Sequence, residues 1–495
     1  MKFLGLRLCD HDSNVSFCDG NKVRYYKSER DLQVKHHGFN SLTDWIYILD
    51  RWNITPLDID AICIVLDDDQ LKKETKEEIK EELKISQFEE LGFKCKIYRI
   101  DHHLAHALSC WTSGQDFDMD IVFDGFGNNA ISHSIYKNLL RKEFYNLDQC
   151  PSIGELMGLF GKILGLSGHR QDHAGKIMAL KGHSKLKSDT RKKYLDLFSK
   201  YNIFEMNKIW DVDNLFQLKK DSHKINLISI AHEISEELFA DYFENKAEGR
   251  ISYSGGIAQN TIINSKIKEK HQDLYIPPHC TDEGLSLGCI EFLRREYNQE
   301  KFDTTGFPFW QSDEAPETRP SKNTIKQTAE HLANGKIVGW YQGNGEVGSR
   351  ALGNRSILMN PTIKNGKDIL NQQVKHREWF RPFGASILEE ETRNYFDWEE
   401  SSPYMLYVMN ILDKEGFPAI THVDGTCRIQ TVSQELEDYY CLIEEFKKIT
   451  GIPMLLNTSL NVNGKPISGH INDLNSINVD IKVVGDSVWE SGQNH

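Results

Sequence analysis

The chain has 495 residues, of which 39% are hydrophobic and 27% charged, and it carries a formal net charge of −14. This length exceeds the size at which one hydrophobic core keeps growing, so the sequence predicts two or more domains. The acidic balance disfavours a broad electrostatic grip on a nucleic-acid backbone but leaves a local basic channel open. Ten cysteines without a CxxC pair indicate reduced thiols. Without an apolar run of about 18 residues or a signal-peptide pattern, we expect a cytoplasmic protein with no membrane partner.

Strands and helices alternate along the first part of the chain. Lys2–Cys9 and Val15–Cys18 flank the turn "DHDSN" and predict a β-hairpin that opens an α/β domain. The apolar patterns predict these further elements: strands over Ile59–Leu66, Phe93–Ile100 and Asp120–Asp124, a strand at Ser252, and helices over Leu71–Ile85 and Ile225–Glu244.

Periodicity fades between Tyr297 and Asn323, where proline, glycine, threonine and serine gather, and this composition indicates a linker. A helix over Thr324–Asn334 and the apolar strand "KIVGWYQ" follow it. We therefore predict a first domain over residues 1–305, a linker over 306–322 and a second domain over 323–495.

His102 and His106, in the stretch "YRIDHHLAHALSC", lie four residues apart and so share one face of a predicted helix. Neutral imidazoles on successive turns are good ligands for a transition metal. The same spacing also occurs in structural helices, so the pair alone leaves both interpretations open.

Carboxylates in small-residue loops are candidates to complete such a site. Asp124 ends a strand in "DGFG", where glycines let the backbone approach a metal or phosphate, although a solvated turn is the alternative. An EF-hand loop over Asp116, Asp118 and Asp120 fails, because no glycine follows Asp120 and no bidentate glutamate follows at the required distance. Asp282 lies in "TDEGLSLG", a second loop that opens a helix.

Two further stretches suit a nucleotide. Ser254, Gly255 and Gly256 lie between a short strand and a helix predicted near Ala258, where free backbone N–H groups can receive an anion or nucleoside. A plain tight turn is the alternative. Lys176 precedes an apolar stretch, either as a phosphate ligand or as a lysine that snorkels at a helix start.

Part of the predicted second domain is locally basic, although the whole chain has a net charge of −14. The stretches "GNGEVGSRALGNRSIL" and "VKHREWFRPFGASIL" carry these cations: Arg350, Arg355, Lys375, Arg377 and Arg381. Guanidinium groups match phosphate oxygens, and the interleaved aromatic residues disfavour a merely solvated basic face. Arg428, Asn457 and Ser459 add donors and acceptors that suit an anion bearing an amide, such as carbamoyl phosphate.

The order "HHLAH", "DGFG", "SGGIAQN" and "TDEGLSLG", followed by "RALGNRSIL", "REWFRPF" and "LLNTSLNVNG", resembles the NodU/CmcH family of O-carbamoyltransferases over nearly the whole chain. The resemblance implies a two-lobed, actin/hexokinase-like α/β first domain, similar to TsaD-like proteins, and a smaller YrdC-like α/β second domain. It also implies an enzyme that makes carbamoyl-adenylate from carbamoyl phosphate and ATP, accompanied by Mg²⁺, and passes the carbamoyl group to an acceptor hydroxyl.

The resemblance assigns roles residue by residue. A divalent transition metal of the iron type would be held by His102, His106, Asp124 and Asp282. Nucleotide contacts would come from Lys176, Ser254, Gly255, Gly256 and Asn260. Carbamoyl phosphate would contact Arg350, Lys375, Arg377, Arg381, Arg428, Asn457 and Ser459, with Arg355 nearby. Apart from the resemblance, His11 and Asp12, in the first turn, are the candidate catalytic residues, and a structural role on the phosphate side is the alternative.

One departure from the family pattern is Asn344, which replaces the arginine of the usual GRMEFGPRALG and is expected to alter nucleotide or phosphate contacts. The C-terminal segment also looks shortened. The acceptor stays open between a sugar, a nucleoside or a natural product and, as the alternative, a hydroxymethylated pyrimidine in DNA or nucleotides. Its specificity is expected in loops near residues 66–78 and 184–214. A catalytically silent nucleotide-binding scaffold is the alternative of another class, and the oligomeric state is open.

Overall fold

A computed structural model of the protein describes residues 1–8, 11–39, 43–66, 85–206 and 212–490. The predicted helix Leu71–Ile85 and most of the predicted acceptor loop at 66–78 lie outside the described residues. The nine described cysteines are free thiols. Across the described ranges, we find no helix with the length and apolar character needed to span a membrane.

The first sheet is built from the predicted hairpin and two parallel strands. Its strands are β1 (Lys2–Leu8), β2 (Asn14–Asp19), β3 (Lys22–Lys27), β4 (Ala61–Leu66) and β5 (Lys96–Arg99), in the order β3-β2-β1-β4-β5. All six residues of β4 are buried, and alternate ones enter different cores: Ile62 and Ile64 face one cluster, Cys63 and Val65 the other. The continuous apolar run of β4 thus reflects a strand covered on both faces.

The second sheet repeats the strand order of the first. Its strands are β6 (Met119–Phe123), β7 (Ile131–Lys137), β8 (Leu140–Asn146), β9 (Ile251–Ser254) and β10 (Leu274–Tyr275), in the order β8-β7-β6-β9-β10. In both sheets the first three strands form an antiparallel meander, the fourth strand pairs in parallel with the first, and the fifth pairs in parallel with the fourth. This duplication confirms the predicted two-lobed, actin/hexokinase-like fold.

A mixed sheet of eight strands follows the predicted linker. Its strands are β11 (Val338–Tyr341), β12 (Arg355–Met359), β13 (Gly384–Leu388), β14 (Val408–Asn410), β15 (Thr426–Val432), β16 (Met454–Ser459), β17 (Ile481–Val484) and β18 (Ser487–Glu490). They lie in the order β14-β15-β13-β16-β12-β11-β17-β18. Between residues 297 and 321, all of which are described, the chain forms no helix or regular strand, as expected for a linker. The exact domain limits stay a prediction.

The described helices cover the sheets. They are α1 (Ser28–Leu32), α2 (Tyr47–Arg51), α3 (Ile85–Glu90), α4 (His102–Trp111), α5 (Ile153–Ile163), α6 (Arg170–Lys181), α7 (Ser188–Phe198), α8 (Val212–Gln217), α9 (Asp221–Lys246), α10 (Thr261–Lys270), α11 (Leu285–Glu296), α12 (Lys322–Ala333), α13 (Gly366–Leu370), α14 (Thr392–Tyr395) and α15 (Glu437–Thr450). Helices α4 and α11 pack so closely that a Cβ on Gly288 would lie only 2.0 Å from the carbonyl oxygen of Ala105. This contact fixes α4 against the loop that precedes α11.

Two helix starts differ from the predictions. Lys176 lies in the middle of α6 and not before it, because the side chain of His169 caps the helix about two turns earlier by accepting from the backbone N–H of Gln171. The helix predicted near Ala258 begins at Thr261, after a short 3-10 turn, because the Asn260 side chain caps it by accepting from the backbone N–H of Ile263.

Asp120, on β6, is a buried carboxylate that gives the fold a pH-dependent stability. Its Oδ1 accepts hydrogen bonds from Trp111 Nε1 at 2.8 Å and Ser252 Oγ at 2.6 Å, but burial dominates and raises its pKa to about 7. An unfolded aspartate has a pKa of about 4, so the folded protein holds a proton between about pH 4 and pH 7 that the unfolded chain has lost. The contribution of Asp120 to stability therefore falls as the pH rises through this window.

The variant Asp120→Asn is neutral at every pH and should remove this contribution to the pH dependence. We expect its free energy of unfolding, relative to the wild type, to be higher at about pH 8 than at about pH 5 by on the order of 2 kcal/mol. Urea denaturation at the two pH values measures the difference. Parallel pH profiles for the two proteins would contradict a raised pKa at Asp120.

Candidate active site

Helix α4 presents its two histidines to one point. The Asp101 side chain caps the helix by accepting from the backbone N–H groups of His103 at 3.0 Å and Leu104 at 3.2 Å, so the helix begins at His102. His102 and His106 then lie on successive turns, both fully buried, with their Nε2 atoms 3.1 Å apart. Two converging imidazole nitrogens are unusual for packing alone and suit a shared cation.

Asp124 and Asp282 complete this cluster. The Nε2 of His102 lies 3.3 Å from Asp124 Oδ2 and 3.4 Å from Asp282 Oδ1, and the Nε2 of His106 lies 3.3 Å from the same Asp282 oxygen. One ligand atom from each of the four buried residues falls within 4.8 Å of the others. Two imidazoles and two carboxylates suit a divalent transition metal, so the residues fit the predicted group.

Each carboxylate of the cluster also has a second partner that orients it. Asp282 Oδ2 accepts from the buried Arg7 Nη2 at 2.9 Å, and Asp124 Oδ1 accepts from the backbone N–H of Gly256 at 2.6 Å. Burial would raise the pKa of Asp282, but His102 and Arg7 outweigh it and hold the pKa well below its usual range. Outer partners of this kind fix the ligand oxygens that face the histidines.

The approach of Gly256 to Asp124 depends on Gly255. Gly255 has a φ of 97°, and a Cβ at this position would lie 2.1 Å from the carbonyl oxygen of Phe123. Its backbone N–H donates to the carbonyl of Cys280 at 2.7 Å. Gly255 therefore holds the loop after β9 against the ends of β6 and of the Asp282 loop.

We expect Gly255→Ala to destabilise the protein by about 2–4 kcal/mol, since it adds both a steric clash and a left-handed backbone strain. Gly175→Ala is the matched control: Gly175 lies inside α6 with no atom within 4 Å of an added Cβ, so alanine should stabilise the helix by roughly 0.5–1 kcal/mol. Urea midpoints of the two variants should move in opposite directions. A Gly255→Ala midpoint equal to that of the wild type would refute the clash.

One cavity of about 1070 Å³ brings most predicted site residues together, with walls from both lobes and from the eight-stranded sheet. The predicted residues that line it are His11, Asp12, Asp124, Lys176, Gly256, Asn260, Asp282, Arg350, Lys375, Arg377, Arg381, Arg428, Asn457 and Ser459. His102 and His106 do not line it, and neither do Ser254 and Gly255, two of the predicted nucleotide contacts. Of the three consecutive residues Ser254, Gly255 and Gly256, only Gly256 lines the cavity.

The cations from the second predicted domain form a cluster on the cavity wall. Burial, together with Arg350 and Arg377, holds the pKa of Arg428 well below its usual range, and burial with Arg381 lowers the pKa of Arg377 to about 9. Burial and the neighbouring arginines also hold the pKa of Lys375 well below its usual range. The Nε atoms of Arg350, Arg377 and Arg428 are buried and make no hydrogen bond within the described part of the chain. Cations that depress one another's pKa values and keep free donors are suited to bind an anion.

Asn457 supplies an acceptor beside this cluster. Its Nδ2 donates to Ser386 Oγ at 2.9 Å and to the carbonyl of Ala351 at 3.2 Å, which fixes the direction of the amide. Its Oδ1 is buried and accepts no hydrogen bond among the described residues. An anion that also carries an N–H group would satisfy both the cluster and this oxygen.

Arg355 and Asn344 do not line the cavity. Arg355 is fully buried outside the cavity, donates to the carbonyls of Gln342 at 2.5 Å and Gly343 at 2.9 Å, and stacks 3.6 Å above the ring of Tyr341. Its side chain therefore holds the glycine-rich loop. Its carbonyl accepts from the backbone N–H of Leu460 at 3.0 Å, next to Ser459 of the predicted carbamoyl-phosphate set. Asn344 is exposed and does not line the cavity, so no contact supports the predicted effect of its substitution.

Glu346 is a residue of this loop that the sequence did not single out. Its Oε1 accepts from the backbone N–H groups of Leu352 at 2.8 Å, Asn354 at 3.0 Å and Arg355 at 3.1 Å. The loop is thus wrapped around one buried carboxylate, which sets the direction in which Arg350 enters the cavity. In the sequence, the sign of this role is that Glu346 stands as a lone glutamate among glycines.

His11 and Asp12 belong to a network across the cavity wall. Asp12 lies 3.2 Å from His11 Nδ1, 3.2 Å from His36 Nδ1 and 3.3 Å from Lys27 Nζ. Burial would raise the pKa of Asp12, but Lys27 and His36 outweigh it and hold the pKa well below its usual range. Asp12 therefore stays ionised and suits the role of orienting His11 better than that of accepting a proton. His36 and Lys27 went unnoticed because no local motif links them to Asp12.

Duplicated lobes, a buried set of imidazoles and carboxylates, and a second unit with a cation cluster define a two-part α/β protein with an actin/hexokinase-like fold. The family model "Carbamoyltransferase N-terminus" matches residues 89–290, and "Carbamoyltransferase C-terminus" matches residues 329–490. The chain belongs to the carbamoyltransferase family, of the NodU/CmcH type.

Several relatives are similar over much of the chain. Nodulation protein NolNO of Sinorhizobium fredii is 29% identical over 76% of this chain and 61% of its own length. The uncharacterized protein MJ1058 of Methanocaldococcus jannaschii is 30% identical over 75% of this chain and 70% of its own length. The 3'-hydroxymethylcephem-O-carbamoyltransferase of Amycolatopsis lactamdurans is 31% identical over 52% of this chain and 53% of its own length. The chain thus spans less than two thirds of NolNO and about half of the cephem enzyme.

A solved structure with a similar course of the chain is component A of the (R)-2-hydroxyglutaryl-CoA dehydratase of Acidaminococcus fermentans. It has a TM-score of 0.38 and 13% sequence identity, over 60% of this chain and 100% of that chain.

Proposed function

We propose that the protein makes carbamoyl-adenylate from carbamoyl phosphate and ATP and transfers the carbamoyl group to an acceptor hydroxyl. The observation that carries this proposal is a single cavity that joins the cation cluster, with its free acceptor Asn457 Oδ1, to Asp124 and Asp282. Carbamoyl phosphate offers both the anionic oxygens and the N–H group that these residues can receive. Family membership supports the transferred group, since one relative is named for O-carbamoyl transfer to a hydroxymethylcephem.

In the first step, water cleaves carbamoyl phosphate to carbamate and phosphate. A carbamate oxygen then forms a bond to the α-phosphorus of ATP while the bond to the β-phosphate breaks, and pyrophosphate leaves. Arg350, Arg377 and Arg428 would offset the phosphate charge, and Asn457 Oδ1 would accept from the carbamoyl N–H. Mg²⁺ would enter with the triphosphate as part of the substrate.

In the second step, the acceptor oxygen attacks the carbonyl carbon of carbamoyl-adenylate, the bond from that carbon to the AMP phosphate breaks, and AMP leaves. His11 lies on the cavity wall with its Nδ1 3.9 Å from Asp282 Oδ2, and it would take the hydroxyl proton while Asp12 orients its imidazole. The four residues His102, His106, Asp124 and Asp282 would hold a divalent transition metal such as Fe²⁺. When bound, this ion would supply Lewis-acid stabilisation for charge on the leaving phosphate.

An acceptor panel tests the proposal. The protein is incubated with ¹³C-labelled carbamoyl phosphate, ATP and Mg²⁺ together with sugars, nucleosides, hydroxymethylcephem, hydroxymethylated nucleotides and DNA that contains them. We expect mass spectrometry to find a labelled carbamate ester on one class of acceptor, and none when ATP is left out. Failure to label any member while the protein still consumes carbamoyl phosphate would exclude these acceptors, and failure of both would contradict the proposed function.

A further inference from the structure

An ion pair joins the second lobe to the unit that carries the cation cluster. Lys176, from α6, places its Nζ 2.5 Å from Glu378 Oε1, and it also donates to the carbonyl of Ser167 at 2.5 Å. The Lys176 side chain is 6% exposed and lines the cavity, while the Glu378 side chain is 21% exposed. Glu378 follows Arg377 directly, so the pair lies where the cation cluster meets the predicted nucleotide side of the cavity.

The Glu378 carboxylate lies beside Lys176 and Arg381, two cations that could instead bind a phosphate. Its Oε2 lies 3.7 Å from Arg381 Nη1 and makes no hydrogen bond within the described residues. Burial would raise the pKa of Glu378, but the hydrogen bond from Lys176 outweighs it, and the pKa falls below its usual range. A phosphate oxygen has the same charge and accepts from the same donors. Lys176 can therefore pair with Glu378 or with a phosphate, but two anions on one ammonium would repel each other.

We propose that Glu378 is an internal counter-anion, which holds Lys176 in the nucleotide-free protein and is displaced when a nucleotide phosphate binds. This inference rests on the proposed function, because it requires ATP in this cavity. Displacement breaks a contact between α6 and the segment 377–383, which carries Arg377 and Arg381. Phosphate binding is thereby coupled to release of that segment, and the broken ion pair lowers the net affinity for ATP.

Titration calorimetry with two probes, ATP with Mg²⁺ and the phosphate-free adenosine, tests the inference. We expect Glu378→Gln to bind ATP about threefold to tenfold more tightly than the wild type, since the competing charge is gone. Adenosine affinity should stay within about twofold, because adenosine has no phosphate to compete for Lys176. In a Lys176→Met background, adding Glu378→Gln should change ATP affinity by less than about twofold, as a double-mutant cycle requires of two residues that act through each other.

Glu445→Gln is the matched control, because Glu445 is also ion-paired, to Lys448 at 2.8 Å, but on α15 and away from the cavity lining. It removes the same charge and should leave ATP affinity unchanged. Unchanged or weaker ATP binding by Glu378→Gln would overturn the inference, and so would a gain that persists without Lys176. A wild-type protein that binds neither ATP nor adenosine would contradict the proposed function as well, whereas normal ATP binding with no gain in the variant contradicts the inference alone.

Discussion

Replacing His106 by alanine should lower carbamoyl transfer at least about a hundredfold while pyrophosphate release from ATP stays within about twofold of the wild type. The reason is spatial: His106 Nε2 belongs to the buried cluster with His102 and Asp282, whereas the cation cluster belongs to the unit after residue 322. Loss of one of four ligands should also empty the cluster of metal. Metal content per chain, measured by mass spectrometry of the purified protein, gives a readout independent of activity.

His103→Gln is the control for this variant. His103 lies on the same helix and is equally buried, but its Nδ1 pairs with Ser134 Oγ at 2.9 Å and it is not a member of the ligand set. We expect this variant to keep its metal. If His106→Ala retained metal and transferred carbamoyl groups normally, the assignment of the cluster would be wrong.

Arg428→Ala should have the largest effect on the first step, with carbamoyl-phosphate-dependent pyrophosphate release lowered at least about a hundredfold. Arg428 lines the cavity, and burial together with Arg350 and Arg377 holds its pKa well below the usual range, so its removal takes a buried guanidinium out of the cation cluster. A coupled pyrophosphate assay measures the rate, and titration with carbamoyl phosphate shows whether binding is lost as well.

Arg393→Ala serves as the comparison, because Arg393 lies on the same unit but is 66% exposed and pairs with the exposed Glu399. It should release pyrophosphate at the wild-type rate. A normal rate in Arg428→Ala would remove the carbamoyl-phosphate site from the cation cluster.

The cluster of His102, His106, Asp124 and Asp282 was predictable because each of its members lies in a short local pattern. Histidines at i and i+4 share a helix face whatever the tertiary fold, and Asp124 and Asp282 stand at a strand end and a helix start, where parallel α/β units place their functional groups. The local patterns could not show that the four side chains converge on one point. That depends on the close packing of α4 on α11 through Gly288.

Residues whose partners are marked by no short local pattern were missed. Glu378 meets Lys176 across about two hundred residues of sequence, and His36 meets Asp12 through a turn that no periodicity marks. The sequence could not show that the Arg355 side chain holds a loop, because a guanidinium that binds backbone carbonyls has the same sequence signature as one that binds a phosphate. A local excess of cations in the sequence indicates where an anion could bind. Contacts in the structure are needed to tell the cations that face the cavity from those that hold the backbone.

A shared cavity also gives the two steps a physical connection. The cations, Asp124 and Asp282 all line one cavity of about 1070 Å³, so carbamoyl-adenylate would have a path between them within that cavity.

Pyrophosphate release in the absence of any acceptor tests the central claim most directly, because it needs only ATP, Mg²⁺ and carbamoyl phosphate. We predict release that requires carbamoyl phosphate and rises with its concentration to saturation, as expected for a site built from the cation cluster. A rate that is the same without carbamoyl phosphate, or no release at all from a protein that binds ATP, would contradict carbamoyl-adenylate formation and favour a silent nucleotide-binding scaffold.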